Sequence, residues 1–140
     1  MARDTIVQFI KYGMVGILNT LITLGVILLC KSVFGIAPML SNTIGYITGV
    51  VNSFIWNKTW VFRSGGNYSR EAIKFVSGFG ICYGIQFIIV WCLSYHSPLG
   101  NMQWDLPSGF VLSGYGVATI LGNIIYTVAN FIYNRIVTFR

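Results

Sequence analysis

Four apolar stretches, at about 8–30, 38–60, 72–95 and 111–136, leave this chain few ways to fold. Each is long enough to cross a hydrocarbon core of about 30 Å, which takes roughly 20 helical residues. The runs are continuous rather than alternating, and a helix satisfies its own backbone in lipid, so helices are expected instead of a barrel. Only 9% of the 140 residues are charged, against about a quarter in a soluble domain. So few charges cannot coat a water-soluble surface. The expected fold class is therefore an all-α membrane protein, a single transmembrane domain of four helices over 1–140. The first stretch is too long, and too poor in small residues at its end, for a removed signal peptide, and is expected to stay as an anchor.

The basic residues orient the spans. Arg3, Lys11, Lys58, Arg63, Arg70, Lys74, Arg135 and Arg140 fall on one side, and Lys31 alone on the other. The positive-inside bias then puts both termini in the cytoplasm and the chain, multi-pass, in the inner (cytoplasmic) membrane. Trp56, Trp60 and Tyr12 would mark the inner interface, and Trp91, Tyr95 and Trp104 the outer one. The net charge of +6 is read as a topology signal, not a nucleic-acid footprint, because the charges flank apolar spans. Residues 96–109 read as a turn-rich outer loop, and 61–71 as a Gly/Ser turn inside.

A shift of 77 residues superposes VVNSFIWNKTWVFR, 50–63, on TVANFIYNRIVTFR, 127–140. Val51, Phe54, Ile55, Asn57, Phe62 and Arg63 meet identical residues there, while Trp56 and Lys58 meet Tyr133 and Arg135. The first and third spans match more weakly. The pattern suggests a pseudo-repeat of 1–63 and 74–140, each half a two-helix hairpin, related by an axis along the membrane normal. Both copies of the motif would then lie at the cytoplasmic side. The β-branched and aromatic endings TWVFR and IVTFR suggest that each helix stops before its arginine.

Polar residues line up within the spans. Asn123, Thr127, Asn130 and Asn134 are spaced by 4, 3 and 4, one narrow stripe at about 100° per residue. The second span offers Asn42, Tyr46, Gly49, Ser53 and Asn57, and the first groups Gly13, Gly16, Asn19, Thr20 and Thr23. The third presents Ser77, Gly80 and Gly84, with Gln86 pointing elsewhere. Gly45/Gly49 and Gly80/Gly84 read as close helix contacts. The asparagine stripe suits either such packing or a ligand rich in hydroxyls. Lys58 and Arg135 each follow an asparagine. They could snorkel to water, or hold a phosphate at headgroup depth.

Chemistry is scarce elsewhere. Asp4, Glu71 and Asp105 fall outside the spans, so no carboxylate is expected to carry a proton or sodium ion. Cys30, Cys82 and Cys92 lack metal spacing and read as packing residues, and His96 as a solvated loop residue. No nucleophile–base pair, metal cluster or nucleotide loop is evident. Neither an enzyme nor a cofactor or metal is expected.

The opening FIKYGMVGILNT, 9–20, with Gly13, Gly16 and Asn19, and NSFIWNKTWVF, 52–62, with Asn52, Asn57, Lys58, Trp60 and Phe62, resemble the GtrA-like family. NFIYNRIVTF, 130–139, echoes the second signature through Asn130, Asn134, Arg135 and Phe139, with Ala129 in place of the first asparagine and Val137 in place of the tryptophan. The resemblance implies flipping of a polyprenyl-phosphate-linked sugar for cell-surface polysaccharide or teichoic-acid glycosylation, beside a membrane glycosyltransferase. On that reading Lys58 and Arg135, supported by Arg63 and Arg140, take the phosphate. Asn19, Asn52, Asn57, Asn123, Asn130 and Asn134 offer partners to the sugar. Four spans are few for a large headgroup, so a homodimer or hetero-complex is expected. The alternatives are a non-transporting subunit that anchors or assembles a glycosyltransferase complex, and a dual-orientation drug exporter. The charge bias and the missing intramembrane glutamate disfavour the exporter.

Overall fold

The computed structural model describes residues 2–105 and 111–140. The Arg3 side chain and residues 106–109 of the expected outer loop lie outside the described residues. The chain divides into two units, Met1–Asn67 with Phe139–Arg140, and Tyr68–Thr138.

In the first unit, α1 (Ala2–Ser32) carries Asp4 in its first turn and Lys31 in its last, each favourable to the helix dipole. The helix is closed by Gly35, whose φ of 62° is left-handed, and by an Ile36 N–H donating to the Cys30 carbonyl at 3.0 Å. This six-residue closure is what a glycine just past a helix end permits. Pro38 then opens α2 (Pro38–Trp56), where its missing N–H costs nothing. The two helices run antiparallel. Gly45 faces Ile27, and Gly49 faces the Thr23 side chain and Asn19 carbonyl, so closely that a methyl group on either would collide. A π-helical turn, Asn57–Val61, continues α2. Beyond it, Phe62 stacks on Phe139 (centroids 5.2 Å, 17°), and Phe139 also meets Phe54 at 5.9 Å.

In the second unit, α3 (Tyr68–Tyr95) and α4 (Gly114–Tyr133) pair antiparallel, and a second π-helical turn, Asn134–Thr138, continues α4. Here the close approaches are Gly78 on the Tyr133 ring and Gly122 on Val90 and Gln86. Gly80 and Gly84, expected to pack, face open space instead: a Cβ on either meets nothing within 4 Å. Between α3 and α4 the chain makes a 3₁₀ turn, Pro98–Asn101, capped by Ser97. A short antiparallel ribbon follows, of β1 (Gln103–Asp105) and β2 (Val111–Ser113), with Trp104 opposite Leu112. This ribbon departs from a purely helical expectation. Backbone pairing there satisfies residues too few and too turn-rich to start a helix.

Polarity is inverted relative to a water-soluble protein. Leu21 is 63% exposed and Ile73 70%, while Ser41 and Asn134 are fully buried. Exposed apolar faces of this extent are stable only against lipid. Among the described residues, three helices are long and apolar enough to cross a membrane, within Asp4–Ser32, Tyr68–Tyr95 and Gly114–Thr138. α2, whose 19 residues include Asn42, Thr43, Thr48, Asn52 and Ser53, is not among them.

Candidate functional site

Both α2 and α4 widen into a π-helical turn at an asparagine followed by a cation, Asn57–Lys58 and Asn134–Arg135. In a π turn the N–H reaches back five residues, which shifts side chains off the α-helical faces, and such turns occur often at functional sites. The Phe62 N–H accordingly donates to the Asn57 carbonyl at 2.9 Å.

In the first unit, Asn57 is buried. Its amide donates to the Ser53 carbonyl at 2.8 Å and to Ser53 Oγ at 3.2 Å. Lys58, expected at a phosphate or snorkelling to water, is only 2% exposed. Its ammonium donates to the Gly66 carbonyl at 2.7 Å, while its own carbonyl accepts from the Ser64 N–H at 2.9 Å. Lys58 thus holds the 62–67 loop at two points, Ser64 and Gly66. Arg63 projects from that loop, exposed, with φ of 51°. A non-glycine residue in the left-handed region is strained and needs surrounding contacts to hold it there. Arg63 and Arg140, both exposed, directly follow the stacked rings of Phe62 and Phe139. Lys11 lies 5.1 Å from the Trp60 ring centroid, a cation–π pair on the same unit. Further along the helices, the Asn52 amide donates to Asn19 Oδ1 at 2.6 Å.

That last bond carries a direct expectation. Asn52→Val should lower thermal stability by about 0.6 kcal/mol, the mean for polar pairs between membrane helices. Asn19→Val should cost the same, and the double variant little more than either single change. Melting in detergent tests this; strictly additive losses would mean that the two side chains do not share a bond.

In the second unit the stripe on α4 is a graded ladder. Asn123 is exposed and accepts from the Gln86 amide at 2.7 Å. The Thr127 hydroxyl bonds back to the Asn123 carbonyl at 2.8 Å. Lower down, Asn130 and Asn134 are buried. The Asn134 amide donates to Asn130 Oδ1 at 3.3 Å, and the Asn130 amide donates to the Tyr126 hydroxyl at 3.4 Å. Arg135 is half-buried. Lys74 donates to the Val137 carbonyl at 3.1 Å, fastening the π turn to the start of α3.

Several participants escaped the sequence reading. Gln86, expected to point away, pairs with Asn123; a lone amide in an apolar run needs such a partner in lipid, and that was the available signal. Glu71, placed outside the spans, belongs to the first turn of α3 and is 4% exposed, so a buried carboxylate is present after all. Thr138 gave no signal, because its place depends on the π turn; Tyr126 lies four residues before Asn130 on α4, and that spacing was the available signal. Among the described residues, no three His, Cys, Asp or Glu side chains converge on a metal-sized site.

Lipid-facing helices with buried polar turns and exposed arginines at their ends define a small multi-pass membrane protein. Residues 11–139 match the model of the GtrA/DPMS transmembrane domain, and the chain belongs to that family. It is similar to the cell wall teichoic acid glycosylation protein GtcA of Listeria innocua, 26% identical over 98% of this chain and 88% of the relative. It is equally similar to the bactoprenol-linked glucose translocase of Salmonella phage P22, 26% identical over 94% of each chain. An uncharacterized membrane protein of Bacillus subtilis, YngA, is 28% identical over 58% of this chain and 55% of its own length.

Proposed function

We propose that this protein translocates a polyprenyl-phosphate-linked sugar across the inner membrane for glycosylation of cell-surface polysaccharide or teichoic acid. The observation that carries the reading is the match along 94% of both chains to a relative named as a bactoprenol-linked glucose translocase. The geometry supports it. Such a lipid needs cations for its phosphate, hydrogen-bonding groups for its hydroxyls and an apolar surface for its chain. The Asn52–Asn19 and Gln86–Asn123 pairs each leave a donor and an acceptor over within apolar helices.

The substrate set is Asn19, Asn52, Asn57, Lys58, Arg63, Asn123, Asn130, Asn134, Arg135 and Arg140. Within it, Arg63 and Arg140 on the first unit and Arg135 on the second each offer a cation to a phosphate, and Lys58 acts from beneath by holding the loop that presents Arg63. The sugar moves down its own gradient, without a chemical step. Both termini lie in the cytoplasm, as the charge bias argues, and the two units are hairpin repeats, 1–63 and 74–140, made unequal by Ala129 and Val137. A second copy or a membrane glycosyltransferase completes the enclosure of the headgroup.

Purified protein in sealed proteoliposomes should move bactoprenol-linked glucose across the bilayer. The double variant Arg63→Ala/Arg135→Ala should do so about tenfold to a hundredfold more slowly, since a hydrogen bond to a charged group contributes about 1.5–3 kcal/mol. No movement by the native protein, with the same lipid moved by a working control, would sink the transport reading in favour of a subunit that assembles a glycosyltransferase.

A further inference from the structure

The second π turn carries two buried oxygens that the rest of the fold does not use. Asn134 Oδ1 and Thr138 Oγ1, on residues 0% and 1% exposed, have no hydrogen-bond partner among the described residues. Thr138 is the telling one. The hydroxyls of Thr20, Thr43, Thr48, Thr59, Thr119 and Thr127 all bond back to the carbonyl four residues earlier, at 2.7–3.1 Å. Thr138 makes no such bond, although it lies in a helical turn. Buried polar groups are rarely left in this condition without a functional reason.

The chemistry of a ligand follows from the donor set. Asn134 Nδ2 is engaged with Asn130, so the free amide oxygen only accepts, and the ligand must donate. A phosphate diester has no proton to give. A metal cation is disfavoured because Arg135 belongs to the same turn and Lys74 is bonded to the Val137 carbonyl in it. A hydroxyl fits: it can donate to Asn134 Oδ1 while pairing with Thr138 Oγ1, which both donates and accepts. In the first unit the counterpart of Thr138 is Val61, also buried, leaving Asn57 Oδ1 as a single unpartnered acceptor. The two-oxygen arrangement belongs to the second turn.

We infer that Asn134 and Thr138 form a hydroxyl-reading subsite, which takes a sugar hydroxyl close to the lipid phosphate when the turn opens to substrate. This rests on the transport reading above for the identity of the ligand, and assigns to Thr138 a specificity role. Arg135 on this turn, with Lys74 of α3 fastened to it, places the phosphate end of the substrate beside the subsite, so the hydroxyl it takes is one near the sugar–phosphate link.

The test uses Thr138→Val, which keeps shape and removes the hydroxyl, and Thr138→Ser, which restores it. Binding is read as thermal stabilisation of the purified full-length protein by bactoprenol-linked glucose and by sugar-free bactoprenol phosphate. Translocation is measured in parallel. Thr138→Val should bind the glucose lipid about tenfold more weakly, the scale of one hydrogen bond. It should bind the sugar-free lipid as native protein does, and Thr138→Ser should recover the difference. The inference is overturned if Thr138→Val melts higher and binds both lipids normally, for then the hydroxyl had merely been orphaned. It is equally overturned if Thr138→Val melts lower with glucose-lipid binding intact, which assigns the site to a resident water. Equal weakening toward both lipids would reduce Thr138 to a structural role. Should the native protein bind the glucose lipid selectively but not move it, the transport reading fails while the subsite stands.

Discussion

Lys58→Met is expected to lower stability by about 1.5–3 kcal/mol and to slow translocation at least about tenfold. Methionine keeps the length of the stem, so little cavity forms, and what is lost is the ammonium. That group donates to the Gly66 carbonyl at 2.7 Å from a side chain 2% exposed. A charge-assisted bond in so dry a place is stronger than its surface equivalent, and the carbonyl it leaves is costly to abandon. The functional loss is indirect. Without its clamp, the 62–67 loop has less to hold Arg63 in the left-handed conformation, and a strained residue relaxes when its surroundings loosen. Lys58→Arg should be nearly as damaging, since a guanidinium is bulkier and planar and Lys58 has no exposed room to give it. Translocation and melting of the two variants decide the matter. A fully active Lys58→Arg beside an inactive Lys58→Met would show that charge alone matters there, and would make Lys58 a direct phosphate contact.

Gly78→Val is expected to cost about 2–3 kcal/mol and to reduce accumulation in the membrane, whereas Gly80→Ala should be neutral or stabilising by up to about 1 kcal/mol. The two glycines lie two residues apart on α3. A Cβ at Gly78 would enter the ring of Tyr133, which cannot move without disturbing the end of α4; a Cβ at Gly80 meets nothing within 4 Å. The alanine at 80 keeps only the gain in helix propensity. Thermal unfolding in detergent separates these outcomes. Comparable losses at both sites would mean that α3 buries the Gly80 face against something else, and would undo this account of how the second unit packs.

Much of the architecture was legible in the amino-acid order. Apolar length and sparse charge point to four helices in a membrane; among the described residues the structure has four α-helices, three of them long and apolar enough to cross one. The endings TWVFR and IVTFR argue that each helix stops before its arginine, and the π turns end at Val61 and Thr138. The family was legible in Asn52, Asn57, Lys58, Trp60 and Phe62. Side-chain roles were less so. Gly45 and Gly49 do meet α1, but Gly80 and Gly84, with the same spacing, meet nothing. Helix periodicity turns Gln86 aside, and the expected spans leave Glu71 outside. Both expectations depend on where an ideal helix begins and ends, and a shift of one residue rotates a side chain by about 100°.

The amino-acid order by itself determined that this chain enters a membrane, that its secondary structure is mainly helical, and that an asparagine and a cation recur near two helix ends. Those properties follow from summed hydrophobicity, from the need to satisfy the backbone in lipid, and from identity at fixed spacing. Only the tertiary structure decided that Lys58 is buried on a carbonyl, that Gly78 rather than Gly80 is the close contact, and that Thr138 keeps an unspent hydroxyl. Lipid tails are as apolar as leucine, so hydrophobic patterning does not tell a face turned to lipid from one turned to a neighbouring helix. The π register then moves each side chain at the helix end away from where an α-helical count would place it.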